Sequence, residues 1–114
     1  MDKVVAKIAA LGVPGLIFVI AMSATGLAGA AAITAALAAL GPGGMVGGIA
    51  FLGVAGLISD ALAEFGAEKI LTAVVKELYL RGETKESIKA KVQKYPISKK
   101  LKLKLNNVLD EIRI

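Results

Sequence analysis

The sequence contains no cysteine and no histidine. The first absence excludes a disulfide framework and a thiolate metal site. The second removes the side chain most often used as a general acid or base. Aromatic residues make up only 4% of the chain, so a core of bulky rings is excluded and close helix packing is favoured. Charge is also missing over a long stretch: between Lys7 and Asp60 lie 52 residues without a single Asp, Glu, Lys or Arg. Ser23, Thr25 and Thr34 sit in that stretch with no general base near them in sequence, and their hydroxyls are expected to bond back to the helix backbone. The Gly-rich segment Gly41–Gly48, GPGGMVGG, lacks the Lys-Ser/Thr ending of a phosphate-binding loop, and no strand precedes it as a dinucleotide fingerprint requires. The chain is therefore read as not an enzyme, with no catalytic residue, no cofactor and no metal site.

What is present is apolar. Hydrophobic residues make up 56% of the 114 residues, and the mean hydropathy is +0.72, against about 45–50% apolar in an ordinary soluble domain. The charge is concentrated at one end. From Asp60 to Ile114 there are twelve basic and eight acidic residues. Two parts follow: residues 1–59, an apolar glycine- and alanine-rich membrane module, and residues 60–114, a charged amphipathic helical tail. About 18 consecutive uncharged, largely apolar residues already suggest a membrane span, and the run here is nearly three times that. Ala21–Ala24, AMSA, imitates a signal cleavage site, but the apolar region continues well past it and cleavage is not expected.

Met1–Leu11 reads as a short amphipathic lead. Gly12-Val13-Pro14-Gly15 interrupts it, and a new helix is expected to start near Pro14. Leu16–Leu40 holds 25 uncharged residues, about 37 Å as one helix and enough to cross a hydrocarbon core of roughly 30 Å; the SATGLAG segment could break it. Gly41, Pro42 and Gly43 form the turn of a hairpin. The second arm, Met45–Ser59, has 15 residues, short for a span, so it either dips into the membrane or crosses with the residues out to Phe65. Asp60–Arg81 reads as one amphipathic helix capped by Ser59 or Asp60 and stopped by Gly82. Thr84 caps a helix that ends before Pro96, with Ile88, Val92 and Tyr95 on one face. Ser98 caps a last helix whose Leu101, Leu105, Val108, Leu109 and Ile112 share a face. The expected fold is all-α: a membrane-embedded apolar hairpin, an amphipathic helix and a short basic helix-hairpin tail.

Two patterns point to function. Small residues recur at helical spacing: Gly26, Ala30 and Thr34 in the first arm, and Gly44, Gly48 and Gly56 in the second. Helices in lipid gain little from hiding apolar surface, so close approach through small residues supplies the contacts; these six are candidate packing residues for a hairpin and a homo-oligomer. The other pattern is basic. Lys85, Lys89, Lys91, Lys94, Lys99, Lys100, Lys102 and Lys104 accompany a single acid, Glu86, over 20 residues. They are candidates for anionic headgroups or for a partner, and they also read as a cytoplasmic topology signal or a solvated face. Nucleic acid ranks last, because the block has no arginine and no aromatic residue beyond Tyr95. With Lys3 and Lys7 at the other end, an even number of spans with both ends in the cytoplasm is the simplest arrangement.

Ser23–Gly53 resembles the apolar module of the interferon-alpha-inducible small hydrophobic proteins and their bacterial relatives. The matching positions are Thr25, Gly26, Gly29, Gly43, Gly44, Met45 and Gly48, about a third of the chain being covered. The resemblance implies a membrane-embedded helical protein with roles in organelle membranes, cell death and antiviral defence. The functional expectation is an integral membrane protein that self-associates and perturbs or permeabilises its membrane, as a defence or lysis effector. The rivals are a membrane-anchored module recruiting a partner through its basic helices, and a soluble all-helical domain.

Overall fold

The chain turns back on itself at Gly12, whose φ of +72° suits glycine because it lacks a Cβ. The computed structural model describes residues 1–24, 48–95 and 97–112, with the backbone alone described for 48–54. Among these residues there are six α-helices and no strands: α1 (Asp2–Ala10), α2 (Val13–Ala24), α3 (Gly48–Phe65), α4 (Ala67–Leu80), α5 (Lys85–Lys94) and α6 (Lys99–Glu111). The all-α expectation is met.

At the end of α1 the Gly12 N–H donates to the Ala9 carbonyl at 2.9 Å and the Leu11 N–H to the Ile8 carbonyl at 3.0 Å. Between α1 and α2 the chain bends by 119°. Pro14 falls in the first turn of α2, where its missing N–H would have been unpaired anyway. Gly15 brings the two helices together: a Cβ at this position would lie 2.3 Å from the Ile8 carbonyl oxygen and 3.1 Å from Leu11 Cβ.

Nothing along α2 distinguishes one face from another. Val13 and every residue from Gly15 to Met22 are buried, and α2 packs against α1, α3, α4, α5 and α6. Its neighbours turn apolar residues inward: Val5 and Ile8 from α1, Ala55 and Ile58 from α3, Ile70, Val74 and Leu78 from α4, Ile88 and Val92 from α5, Leu101, Leu105 and Leu109 from α6. No polar or charged residue is buried among those described. Each fully buried large side chain stabilises the packed form by about 1.5–3 kcal/mol relative to exposure. The 12 described residues of α2 span roughly 18 Å of helix, and over that length five neighbouring helices enclose it.

Two expectations need correction. Asp60–Arg81 is not one helix. α3 runs without interruption through Ser59 and Asp60, so neither caps a helix start, and the break comes at Gly66 with φ +86° and ψ 154°. That conformation is almost confined to glycine. The apolar hairpin differs as well. No single helix among the described residues is long and apolar enough to cross a membrane, and α1 with α2 would qualify by length and composition only as a pair bent by 119°. α2 and α3, the described parts of the two arms, do touch. The turn at Gly41, Pro42 and Gly43 and the packing candidates Gly26, Ala30, Thr34 and Gly44 lie outside the described residues.

Gly82 ends α4 as expected, with φ +102°. The Glu83 N–H donates to the Leu78 carbonyl at 3.0 Å and the Gly82 N–H to the Tyr79 carbonyl at 3.1 Å, the two bonds of a Schellman stop.

Gly66→Ala should destabilise the bent form. Among the described residues nothing beyond its chain neighbours lies within 4 Å of a Cβ at Gly66, so the cost is backbone strain of about 1–3 kcal/mol. Alanine is also the better helix former by about 1 kcal/mol, which favours joining α3 to α4. Thermal unfolding followed by circular dichroism checks this: a lower midpoint is expected, and a midpoint equal to or above the parent's would refute the strained-glycine reading.

Candidate functional site

The lysine block lies on α5 and α6, two short helices that pack on each other. Thr84 starts α5 through a reciprocal cap: the Ser87 N–H donates to Thr84 Oγ1 at 3.0 Å, and the Thr84 N–H donates to Ser87 Oγ at 2.8 Å. Serine here replaces the usual Glu or Gln of a capping box. Ser98 starts α6 by accepting the Leu101 N–H at 3.2 Å. Ile88 and Val92 of α5, and Leu101, Leu105 and Leu109 of α6, are buried. The remaining faces carry the lysines.

The eight lysines fall into two groups. Lys85 and Lys89, one turn apart, both reach Asp110 Oδ1 on α6 at 2.8 Å. Lys91 pairs with Glu83, which also accepts from Ser87 Oγ at 2.6 Å. Lys102 Nζ donates to the Gln93 carbonyl at 3.0 Å, tying the start of α6 to the end of α5. Lys94, Lys99, Lys100 and Lys104 have no carboxylate within ion-pair distance among the described residues. Lys99 and Lys100 occupy the first turn of α6, which contains no acidic residue. Positive charge there opposes the helix dipole, so these two do not serve the stability of α6.

The carboxylates respond to their partners. Hydrogen bonds from Lys85 and then Lys89 hold the Asp110 carboxyl down at about 2, below its ordinary 3.8. Lys91, and after it Ser87, holds Glu83 below its ordinary value. Asp110 raises Lys85 in return. A depressed folded-state carboxyl contributes stability above its unfolded value and loses it as pH falls through the folded one. The α5–α6 clasp should therefore weaken as pH drops from 3.8 towards about 2. The groups are exposed, so the effect is small and salt-screened. Asp110→Asn should flatten that part of the curve of unfolding midpoint against pH. An identical acid limb in the parent and the variant would rule the clasp out as its source.

A cleft of about 590 Å³ opens at the end of α2, lined by Ser23, Glu68, Leu71, Thr72, Lys104 and Glu111 among others. Lys104 thus shares its surroundings with two acids. Ser23 does what its position suggested, its hydroxyl donating to the Ile20 carbonyl at 2.9 Å. No group of three or more His, Cys, Asp or Glu among the described residues is placed to hold a metal ion.

The small-residue candidates are spread differently from the lysines. Gly48 is the first residue of α3. Gly56 is exposed, with open space among the described residues where a Cβ would stand. Sequence reasoning missed Asp110, Glu83 and Gly15. The first two are ordinary surface acids until α5 and α6 come together; Gly15 gave a signal only as part of the Gly-Val-Pro-Gly break.

No family model, no curated protein and no solved structure matches the chain.

Proposed function

We propose that this chain is a membrane-engaging protein that inserts its apolar run into a bilayer, self-associates there through glycine and alanine faces, and perturbs or permeabilises the membrane as a defence or lysis effector. The observation that carries this reading is the 52-residue run without charge. Its first helix, α2, is apolar all round and takes contacts from five neighbours. A run that long draws on far more apolar partner surface than three short amphipathic helices possess, and a bilayer or a second copy supplies it. In this reading α4, α5 and α6 cover the apolar unit in water and lie at the interface when it inserts, the lysine-bearing part staying on the cytoplasmic side. Gly56, open on α3, is a face available to another copy. The resemblance of Ser23–Gly53 to the interferon-alpha-inducible small hydrophobic proteins points the same way.

Dye-loaded vesicles of phosphatidylcholine and phosphatidylglycerol test it. Addition of the purified chain should release the dye. A chain that binds and leaves the dye inside would be an anchor and not an effector. A chain that remains in the aqueous fraction would overturn the membrane reading.

One observation favours a second reading, a water-soluble all-helical domain: the apolar helix α2 is buried by protein alone, with Leu16, Phe18, Val19 and Ile20 at 0% exposure. A monodisperse monomer in detergent-free buffer that ignores vesicles would establish it.

A further inference from the structure

Lys94, Lys99 and Lys100 stand together at the closed end of the α5–α6 hairpin, because the Lys102 to Gln93 bond of 3.0 Å places the first turns of α6 beside the last turn of α5. All three are exposed. None has a carboxylate partner among the described residues, whereas Lys85, Lys89 and Lys91 nearer the open end are paired with Asp110 and Glu83. The hairpin is thereby polarised, with Lys85, Lys89 and Lys91 sharing two carboxylates and the three lysines of the closed end having none among the described residues. Leu103 follows one turn after Lys99 and Lys100 on the outward side of α6 and is 61% exposed, while Leu101, Leu105 and Leu109 of the same helix are buried.

We infer that the closed end of this hairpin is a docking surface for an anionic lipid membrane, with Lys94, Lys99 and Lys100 on the headgroup phosphates and Leu103 entering the boundary between headgroups and acyl chains. The inference rests on the membrane reading and specifies which lysines it uses. Two unpaired cations one turn before an exposed aliphatic side chain, with a third at the adjoining end of α5, fit a surface that is negative outside and apolar beneath. A nucleic acid offers phosphates without an apolar layer for Leu103, and the closed end presents no arginine for base or phosphate forks. Lys85, Lys89, Lys91 and Lys102 act within the fold; Lys104 shares the cleft with Glu68 and Glu111 and is left out of the docking set.

The full chain and two triple variants of equal net charge separate this surface from general attraction. One is Lys94→Gln, Lys99→Gln and Lys100→Gln; the other is Lys85→Gln, Lys89→Gln and Lys91→Gln. Binding is read by flotation with vesicles containing phosphatidylglycerol, with pure phosphatidylcholine as the reference. Each docked lysine is worth about fivefold in binding, so the first variant should bind about a hundredfold more weakly. The second should lose less than about tenfold. Leu103→Asn should lower binding further without shifting the unfolding midpoint, since the side chain is outside the core. Equal losses in the two triple variants, or equal binding of the parent to both lipids, would overturn the docking surface while leaving membrane engagement standing. A parent chain that floats with neither vesicle would overturn both, and tight binding to single-stranded DNA but not to anionic vesicles would replace lipid by nucleic acid.

Discussion

Phe18→Ala should cost the folded chain about 3–5 kcal/mol and lower its unfolding midpoint more than any surface change. Phe18 is fully buried at the middle of α2, the helix on which α1, α3, α4, α5 and α6 converge. Truncating the ring removes its transfer free energy and leaves a cavity that five neighbours, each held by its own core contacts, can fill only in part. A domain of this size is stable by about 5–15 kcal/mol in total, so the variant should unfold at markedly lower denaturant. Denaturant titration followed by circular dichroism measures it. A loss below about 1 kcal/mol would place Phe18 at a surface and contradict the enclosed α2.

Gly15→Val should be the next most damaging. A Cβ at this position would stand 2.3 Å from the Ile8 carbonyl oxygen, closer than real Cβ contacts come. The obstacle is backbone, so no side-chain rotation relieves it. The γ-methyls would press further against Leu11, whose Cβ is 3.1 Å from the added carbon. Overpacking of this kind costs about 1–3 kcal/mol and more when backbone must move; the upper end is expected here, because opening the α1–α2 turn also separates Val5 and Ile8 from the core. Gly56→Val provides the comparison. It has open space around it among the described residues and should shift the midpoint little. If the two glycines tolerate valine equally, the close α1–α2 approach is absent.

Much of the charged half was legible in the sequence, because its signals are local. Thr84 and Ser98 announced their helices through side-chain bonds to backbone three residues away. Gly82 announced the end of α4 by its position after an amphipathic run. The inner faces of α5 and α6 followed from spacing alone. Gly66 was not legible: Leu62, Phe65, Ile70 and Leu71 keep a helical rhythm across it, and a glycine within such a pattern carries no mark of whether its φ will be positive. The enclosure of α2 was hidden for another reason. A helix apolar on every side has no preferred face, so periodicity cannot say whether lipid or other helices surround it. The division at residue 59 marks a change of composition, and α3 passes through it unbroken. For the site, the presence of basic residues was evident and their pairing was not. Lys89 meets Asp110 across 21 positions of sequence, and only the folded hairpin reveals which lysines remain unpaired.

The central claim is that the apolar run enters a bilayer, and the most direct measurement is an alkaline carbonate wash of anionic vesicles after they have bound the full chain. A chain held only by its lysines is released when salt and high pH remove the electrostatic attraction. The bulk of the chain should sediment with the vesicles after the wash. Its quantitative appearance in the supernatant as a monomer would contradict insertion and leave the water-soluble helical domain in its place.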